Sequence, residues 1–243
     1  MTKETALITG ASNGLGEHLA YVFADNGYDL ILNGRNLGDL ARISRRFEKN
    51  ADTNVEIIQG DLRENETIDK LYEAAQKQDI TVLINNAALP CPDVPFENIT
   101  EQHIYDMVST NLMVPIRLTQ RIYPIFQEKN KGRIVNINSI ISLETKNKRT
   151  LSTACKSGLA GFSKGLRTEA AKHNISILDV YMSRARTKPH YEWGMDTDYV
   201  VNKIFEYQAQ PEVDELVIDG RPLKVREKTK PLRIYIDARH KSI

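Results

Sequence analysis

Residues Thr9-Gly10-Ala11-Ser12-Asn13-Gly14-Leu15-Gly16 follow a short apolar run and open an amphipathic one. That context places a glycine-rich turn between a strand and a helix, and the chemistry it offers is anion binding. Gly10 permits a tight turn after the strand, and Gly14 lets the backbone approach a pyrophosphate. Gly16 is expected to let the helix pack close to the sheet. The amides of this stretch, those of Ser12, Asn13 and Leu15 among them, then face an anion with the helix dipole behind them. The ligand this turn points to is a dinucleotide.

The end of the second strand bears on which one. A binder of NAD(H) places a carboxylate about 20 residues on, to bond the ribose hydroxyls. Here that strand ends Leu32-Asn33-Gly34-Arg35, with an arginine and no acid. A guanidinium suits a 2′-phosphate, which a carboxylate would repel. NADP(H) is therefore favoured over NAD(H).

These groups need a scaffold, and the chain supplies one. Val/Ile/Leu-rich runs near 4–9, 28–33, 55–59, 79–84, 132–138, 175–180 and 214–218 alternate with amphipathic stretches near 14–26, 36–49, 64–77, 100–129, 150–173 and 196–209. The strands are apolar on consecutive residues, as expected where helices cover both faces of a parallel sheet. Pro115 and Pro124 should bend or break the helix over 100–129. The expected fold is one α/β domain, a doubly wound parallel sheet of about seven strands, spanning residues 1–220. A basic tail of residues 221–243 follows. Two readings of it stay open: a solvated segment, or one that packs on a partner subunit. Within it, Leu232–Ile236 alternates apolar and polar residues like an edge strand.

Bulk properties narrow the class. The 243 residues are 41% hydrophobic and 27% charged, with a formal net charge of +1, which argues against nucleic acid or a charged membrane surface as the main partner. No apolar run approaches the roughly 20 residues of a membrane span. Cys91 and Cys155 form no disulfide framework, and neither they nor the five scattered histidines have metal-ligand spacing. With no leader ahead of the first strand, a cytoplasmic protein is expected.

The spacing Gly10-x3-Gly14-x-Gly16, together with landmarks that follow in order, resembles the short-chain dehydrogenase/reductase family. Asp61-Leu62 follows the third strand, where the family's aspartate contacts adenine. Asn85-Asn86-Ala87-Ala88 is similar to the family's Asn-Asn-Ala-Gly, and Asn111 stands at its helix asparagine, which in the family helps a water relay reach the lysine. Ser139, ending Ile134-Val135-Asn136-Ile137-Asn138-Ser139, occupies the position of its catalytic serine, with Lys156 17 residues on. Thr187 follows the sixth strand, where the family's threonine contacts the nicotinamide carboxamide. The resemblance covers residues 3–220. It implies a carbonyl or alcohol substrate, subunits assembled as a homodimer or homotetramer, and a lysine that holds the nicotinamide ribose.

One position departs. The family's lysine belongs to Tyr-x-x-x-Lys, whereas Ser152 stands four residues before Lys156. In the family that tyrosine is the general acid or base, with its pKa lowered by the lysine. A serine hydroxyl is a far poorer acid and about 4 Å shorter, by summing covalent dimensions. Three outcomes stay open: a water held by Ser152, Ser139 and Lys156 gives a slow reductase; the substrate supplies its own acidic group or needs no proton at this point; or the domain binds cofactor without turnover, as a sensor, scaffold or inactive subunit. A Ser152–Lys156 hydrolase would need an oxyanion hole, a neutral lysine and a pocket free of nicotinamide, which the phosphate cradle opposes. Tyr181, Tyr191 and Trp193 flank a short lid after the sixth strand, where one phenol could replace the missing one. Cys91 and Cys155 read as small apolar packing residues.

Overall fold

The computed structural model describes residues 3–47, 52–187, 193–221 and the backbone of 233–237. Eight parallel strands form one sheet in the order β3-β2-β1-β4-β5-β6-β7-β8. They are β1 (Thr5–Ile8), β2 (Asp29–Gly34), β3 (Val55–Gln59), β4 (Val82–Asn85), β5 (Gly132–Ser139), β6 (Ile175–Met182), β7 (Glu215–Asp219) and β8 (Arg233–Asp237). The seven strands expected from the apolar runs all form. The alternating run in the tail adds the eighth, pairing parallel with β7 from Glu215↔Arg233 to Asp219↔Asp237. The rest of the basic tail lies outside the described residues.

Consecutive apolar residues divide between the two faces of the sheet. Ala6, Ile8, Leu30, Leu32, Val82, Ile84, Val135 and Ile137 join the core under α1 (Gly14–Asp25) and α7 (Thr197–Gln208). Leu7, Ile31, Leu83 and Ile134 join the opposite core, under α3 (Asn65–Lys77) and α5 (Val114–Lys129). Both faces are buried, which is why the strands read as unbroken apolar runs. α2 (Leu37–Arg45), α4 (Glu101–Val108) and α6 (Thr150–Ala170) complete the layers.

The long helix expected over 100–129 breaks between its halves. A π-helical turn over Ser109–Met113 separates α4 from α5, and Pro115 sits in the first turn of α5. Proline has no N–H, so the α-helical bond to the Asn111 carbonyl, four residues back, is missing. Pro124 is accommodated inside α5.

Candidate active site

The strand order reverses between β1 and β4, and open α/β sheets leave a crevice beyond the carboxyl ends of the strands at such a point. A cleft of about 310 Å³ opens there, lined by Gly10, Ser12, Asn13, Gly14, Leu15 and Gly16 of the turn, by Arg35, Asp61 and Leu62, by Asn86, Ala87 and Ala88, and by Thr187. Of the residues expected to hold a dinucleotide, Lys156 alone is not in this lining.

Backbone geometry explains the glycines. Gly10 has φ +64°, and a Cβ there would lie 2.8 Å from the Cα of Ala87, so the turn closes against the loop after β4. Gly14 borders Thr187 across the cleft, a Cβ at Gly14 falling 3.4 Å from the Thr187 Cβ. The expectation for Gly16 is corrected. Its Cβ would meet the Gly10 carbonyl oxygen at 2.3 Å and Asn86 Nδ2 at 2.6 Å, so the glycine serves the approach of helix to turn, not of helix to sheet.

Thr9, at the end of β1, joins turn and loop. Its hydroxyl donates to the Ile84 carbonyl (3.1 Å) and accepts the N–H groups of Asn86 (2.9 Å) and Ala87 (3.1 Å). Asn86 Nδ2 donates to the carbonyls of Thr9 (2.8 Å) and Gly10 (3.2 Å). Asn13, the residue before α1, makes no capping bond with its side chain, although asparagine caps well, so the first amides of the helix have no side-chain cap. The acid in that first turn, Glu17, is engaged elsewhere: Arg42 of α2 donates to it twice, at 2.6 and 2.9 Å. Those bonds hold its carboxyl below the usual range.

At the far end of the cleft, Arg35 is exposed, and its guanidinium bonds no described residue. Asp61 is gripped by a residue that sequence reasoning missed. Arg63 reaches its carboxylate through Nε (3.1 and 3.2 Å) and Nη2 (2.8 Å), and also bonds Asp106 of α4. The Arg63 bonds hold the Asp61 carboxyl low. The two-residue spacing was the available signal, because the Arg63 N–H also donates to Asp61 Oδ1 (2.9 Å).

Ser139 ends β5, and its Oγ accepts the Ile141 N–H at 3.3 Å. Lys156, on α6, donates from Nζ to the Ile137 carbonyl at 2.7 Å, and burial of the ammonium pushes its pKa down to about 8. Asn138, also missed, lies between them. It donates to the Lys156 carbonyl and accepts the Ser139 N–H. Ser139 and Lys156 are thus brought together through the end of β5. Ser152, in the first turn of α6, is half-buried and bonds no described residue. Asn111 stands apart in the π-turn. Its amide accepts the Leu89 N–H (2.7 Å) and donates to the Leu89 carbonyl (2.9 Å), so the side chain braces the loop after β4.

The phenol of Tyr181 is buried and donates to Glu215 (3.3 Å), which directs it to β7 and away from Ser139. Tyr191 lies outside the described residues. Trp193 is exposed, with the Arg184 guanidinium 4.1 Å above its ring. Cys155 is buried and Cys91 half-buried, packed in one small apolar cluster with Met107 and Leu151. Among the described residues no cluster of His, Cys, Asp or Glu could hold a metal ion, and no helix is long and apolar enough to cross a membrane.

Residues 4–194 match the short chain dehydrogenase family. The chain belongs to that family. It is an oxidoreductase of the short-chain type, and some of its relatives carry dehydrogenase names. An NADP-dependent 3-hydroxy acid dehydrogenase of Schizosaccharomyces pombe is 32% identical over 180 residues, 73% of this chain and 70% of its own length. Among solved structures, the bulky-bulky ketone specific alcohol dehydrogenase of Comamonas testosteroni superposes with a TM-score of 0.82 at 27% identity, covering 93% of this chain and 88% of that one. A short-chain dehydrogenase of Sphingobium yanoikuyae in complex with NADPH gives 0.80 at 26% identity, covering 91% and 89%.

Proposed function

We propose that this short-chain dehydrogenase uses NADP(H) on a carbonyl/alcohol pair, at a rate limited by Ser152. The observation that carries the reading is the open glycine turn. Its uncapped amides and the unengaged Arg35 line one cleft, and Gly10 lets the turn close against Ala87, where a Cβ would collide. These residues fit a phosphorylated dinucleotide. Backbone from Gly10 to Gly16 would hold the pyrophosphate, with Arg35 on the 2′-phosphate and Asp61 and Leu62 on the adenine. Asn86, Ala87 and Ala88 would line the ribose path and Thr187 the carboxamide, while Lys156, outside this lining with its ammonium on the Ile137 carbonyl, would have to turn from that bond to hold the nicotinamide ribose. The NADP-dependent yeast relative and the NADPH-bound neighbour support the choice of cofactor.

Bound there, the dinucleotide supplies or accepts the hydride. The chain must handle the proton and the oxygen. Ser139 keeps a hydroxyl hydrogen to donate to a carbonyl oxygen, since its Oγ accepts from Ile141. Lys156, whose ammonium sits on the Ile137 carbonyl two residues before Ser139, would bring a positive charge to this end of β5 that favours a developing alkoxide. Ser152 cannot reach where a phenol would stand, so a water between Ser152, Ser139 and Lys156 carries the proton. The Asn111 side chain is committed to Leu89, so its backbone carbonyl, which lacks the helical bond Pro115 cannot give, is the group available to hold a relay water.

Because Ser152 removes the family's acid, a second reading stands beside the first: a cofactor-binding subunit without turnover. NADPH titration together with a panel of carbonyl compounds separates the two. Turnover that collapses in Ser139→Ala supports the enzyme. Tight NADPH binding without oxidation by any compound supports the sensor.

A further inference from the structure

Two loops flank Ser139, and both are basic. The first joins Ser139 to α6, so it borders the space between Ser139 and Ser152; it carries Lys146, Lys148 and Arg149 against Glu144. The second leaves β6 at Met182, the register partner of Ser139, and carries Arg184 and Arg186 with no acid through Thr187.

The acids nearby are engaged. Glu144 accepts from Arg221 (3.4 Å), which is itself held to Asp219 at 2.9 Å. Asp93 faces Arg149 at 3.6 Å. Lys146, Lys148 and Arg186 are exposed, and none of them pairs with a described acid. Lys148 also holds a left-handed backbone at φ +58°, where glycine or asparagine is the easier residue. Like charges gathered on two sides of a reacting centre leave a positive field that an anion relieves.

We propose that the substrate carries a carboxylate, which docks between Lys146, Lys148 and Arg149 on one side and Arg186 on the other, while its carbonyl or hydroxyl lies at Ser139. This rests on the reading of the chain as a carbonyl/alcohol oxidoreductase. It adds the charge of the substrate and the residues that select it.

The test uses the full chain loaded with NADP+, titrated with 2-oxo and 3-oxo acids and with their methyl esters. Each pair differs in charge at nearly constant shape. Trp193 is the chain's one tryptophan and lies under Arg184, so its fluorescence reads binding without turnover. The acid is expected to bind about tenfold more tightly than its ester, an advantage that shrinks as salt shortens the Debye length below about 8 Å. In Lys146→Gln/Lys148→Gln/Arg186→Gln that advantage should fall to near unity, and in the charge-keeping Lys146→Arg/Lys148→Arg/Arg186→Lys it should return. All three sites are exposed, and unchanged thermal unfolding checks the fold. Equal binding of acids and esters overturns the proposal, as does a preference that survives the triple neutralisation. Esters reduced with NADPH as fast as acids would also overturn it while leaving the oxidoreductase intact. A charge-selective Trp193 response with no NADPH oxidation by any compound would uphold the anionic site and sink turnover instead.

Discussion

Asn138 and Lys156 are joined by a bond from the Asn138 amide to the Lys156 carbonyl at 3.2 Å, while the same side chain accepts the Ser139 N–H at 2.8 Å. Asn138 is only 2% exposed, so it has no water to turn to. One buried amide sets the spacing between β5 and α6 at the point where Ser139 and Lys156 must cooperate. Small displacements of reacting groups carry large penalties in rate.

Asn138→Ala should therefore lower kcat by about 10- to 100-fold while the cofactor Kd changes little. The pH profile is the sharper readout. Burial sets the Lys156 ammonium at about 8, so wild-type activity should decline above that pH as the charge is lost. In Asn138→Ala the alkaline limb should move, because Lys156 is no longer held in the same surroundings. Asn138→Ser keeps a shorter donor and acceptor and should fall between the two. A purely structural asparagine would lower Tm and leave the limb in place.

Ser152→Tyr puts a phenol four residues before Lys156, on the same helix face. If the rest of the site is intact, the lysine charge lowers the phenol pKa and a general acid is restored. Such help is worth about 10²- to 10⁴-fold. Steady-state kcat on any carbonyl compound that wild type reduces should rise by that order. An unchanged rate would mean that the pocket around Ser139 no longer serves reduction.

What could be read from residues alone follows from where each bond partner sits. Runs such as Leu30-Ile31-Leu32 announced a sheet covered on both faces, and alternate members do enter opposite cores. The turn from Gly10 to Gly16 was legible because strand, glycines and helix adjoin in the chain. Tertiary partners were not. Gly16 is required by the Gly10 carbonyl and by Asn86, 70 residues away, and Asn111 is committed to Leu89 across a loop. Pro115 promised a break in the long helix without saying that a π-turn would take it. The strand character of Leu232–Ile236 was visible, but its parallel pairing with β7 was not.

Arg35 decides cofactor choice in the proposed function. A charge-assisted bond contributes about 1.5–3 kcal/mol, or roughly 10- to 100-fold in Kd. Arg35→Asp should weaken NADPH binding by at least that much and spare or improve NADH, since a carboxylate repels the 2′-phosphate and bonds the free hydroxyl. Titration of both cofactors into both proteins checks it. An unchanged ratio of affinities would remove Arg35 from the assignment.

Asn85, Asn136, Asp179 and Glu215 are successive register partners across β4 to β7, so one polar rung crosses the sheet. On it Asp179 is fully buried, accepting from Ser163 (2.9 Å) and from Arg167 (2.7 Å). Burial outweighs those partners and pushes its carboxyl up to about 6, above the ordinary 3.8. The native chain therefore holds that proton more tightly than the unfolded chain does. The sign follows: the stability this proton confers is fully present below about pH 4 and lost as the pH rises through about 6. Asp179→Asn, which resembles the protonated acid at every pH, should gain Tm relative to wild type as the pH is raised from 4 to 7. Arg167 keeps the Ile177 and Asp214 carbonyls in that variant. Thermal unfolding at several pH values across this range measures the difference. A gap that stays constant with pH, or that moves the other way, would show that Arg167 holds Asp179 ionised throughout.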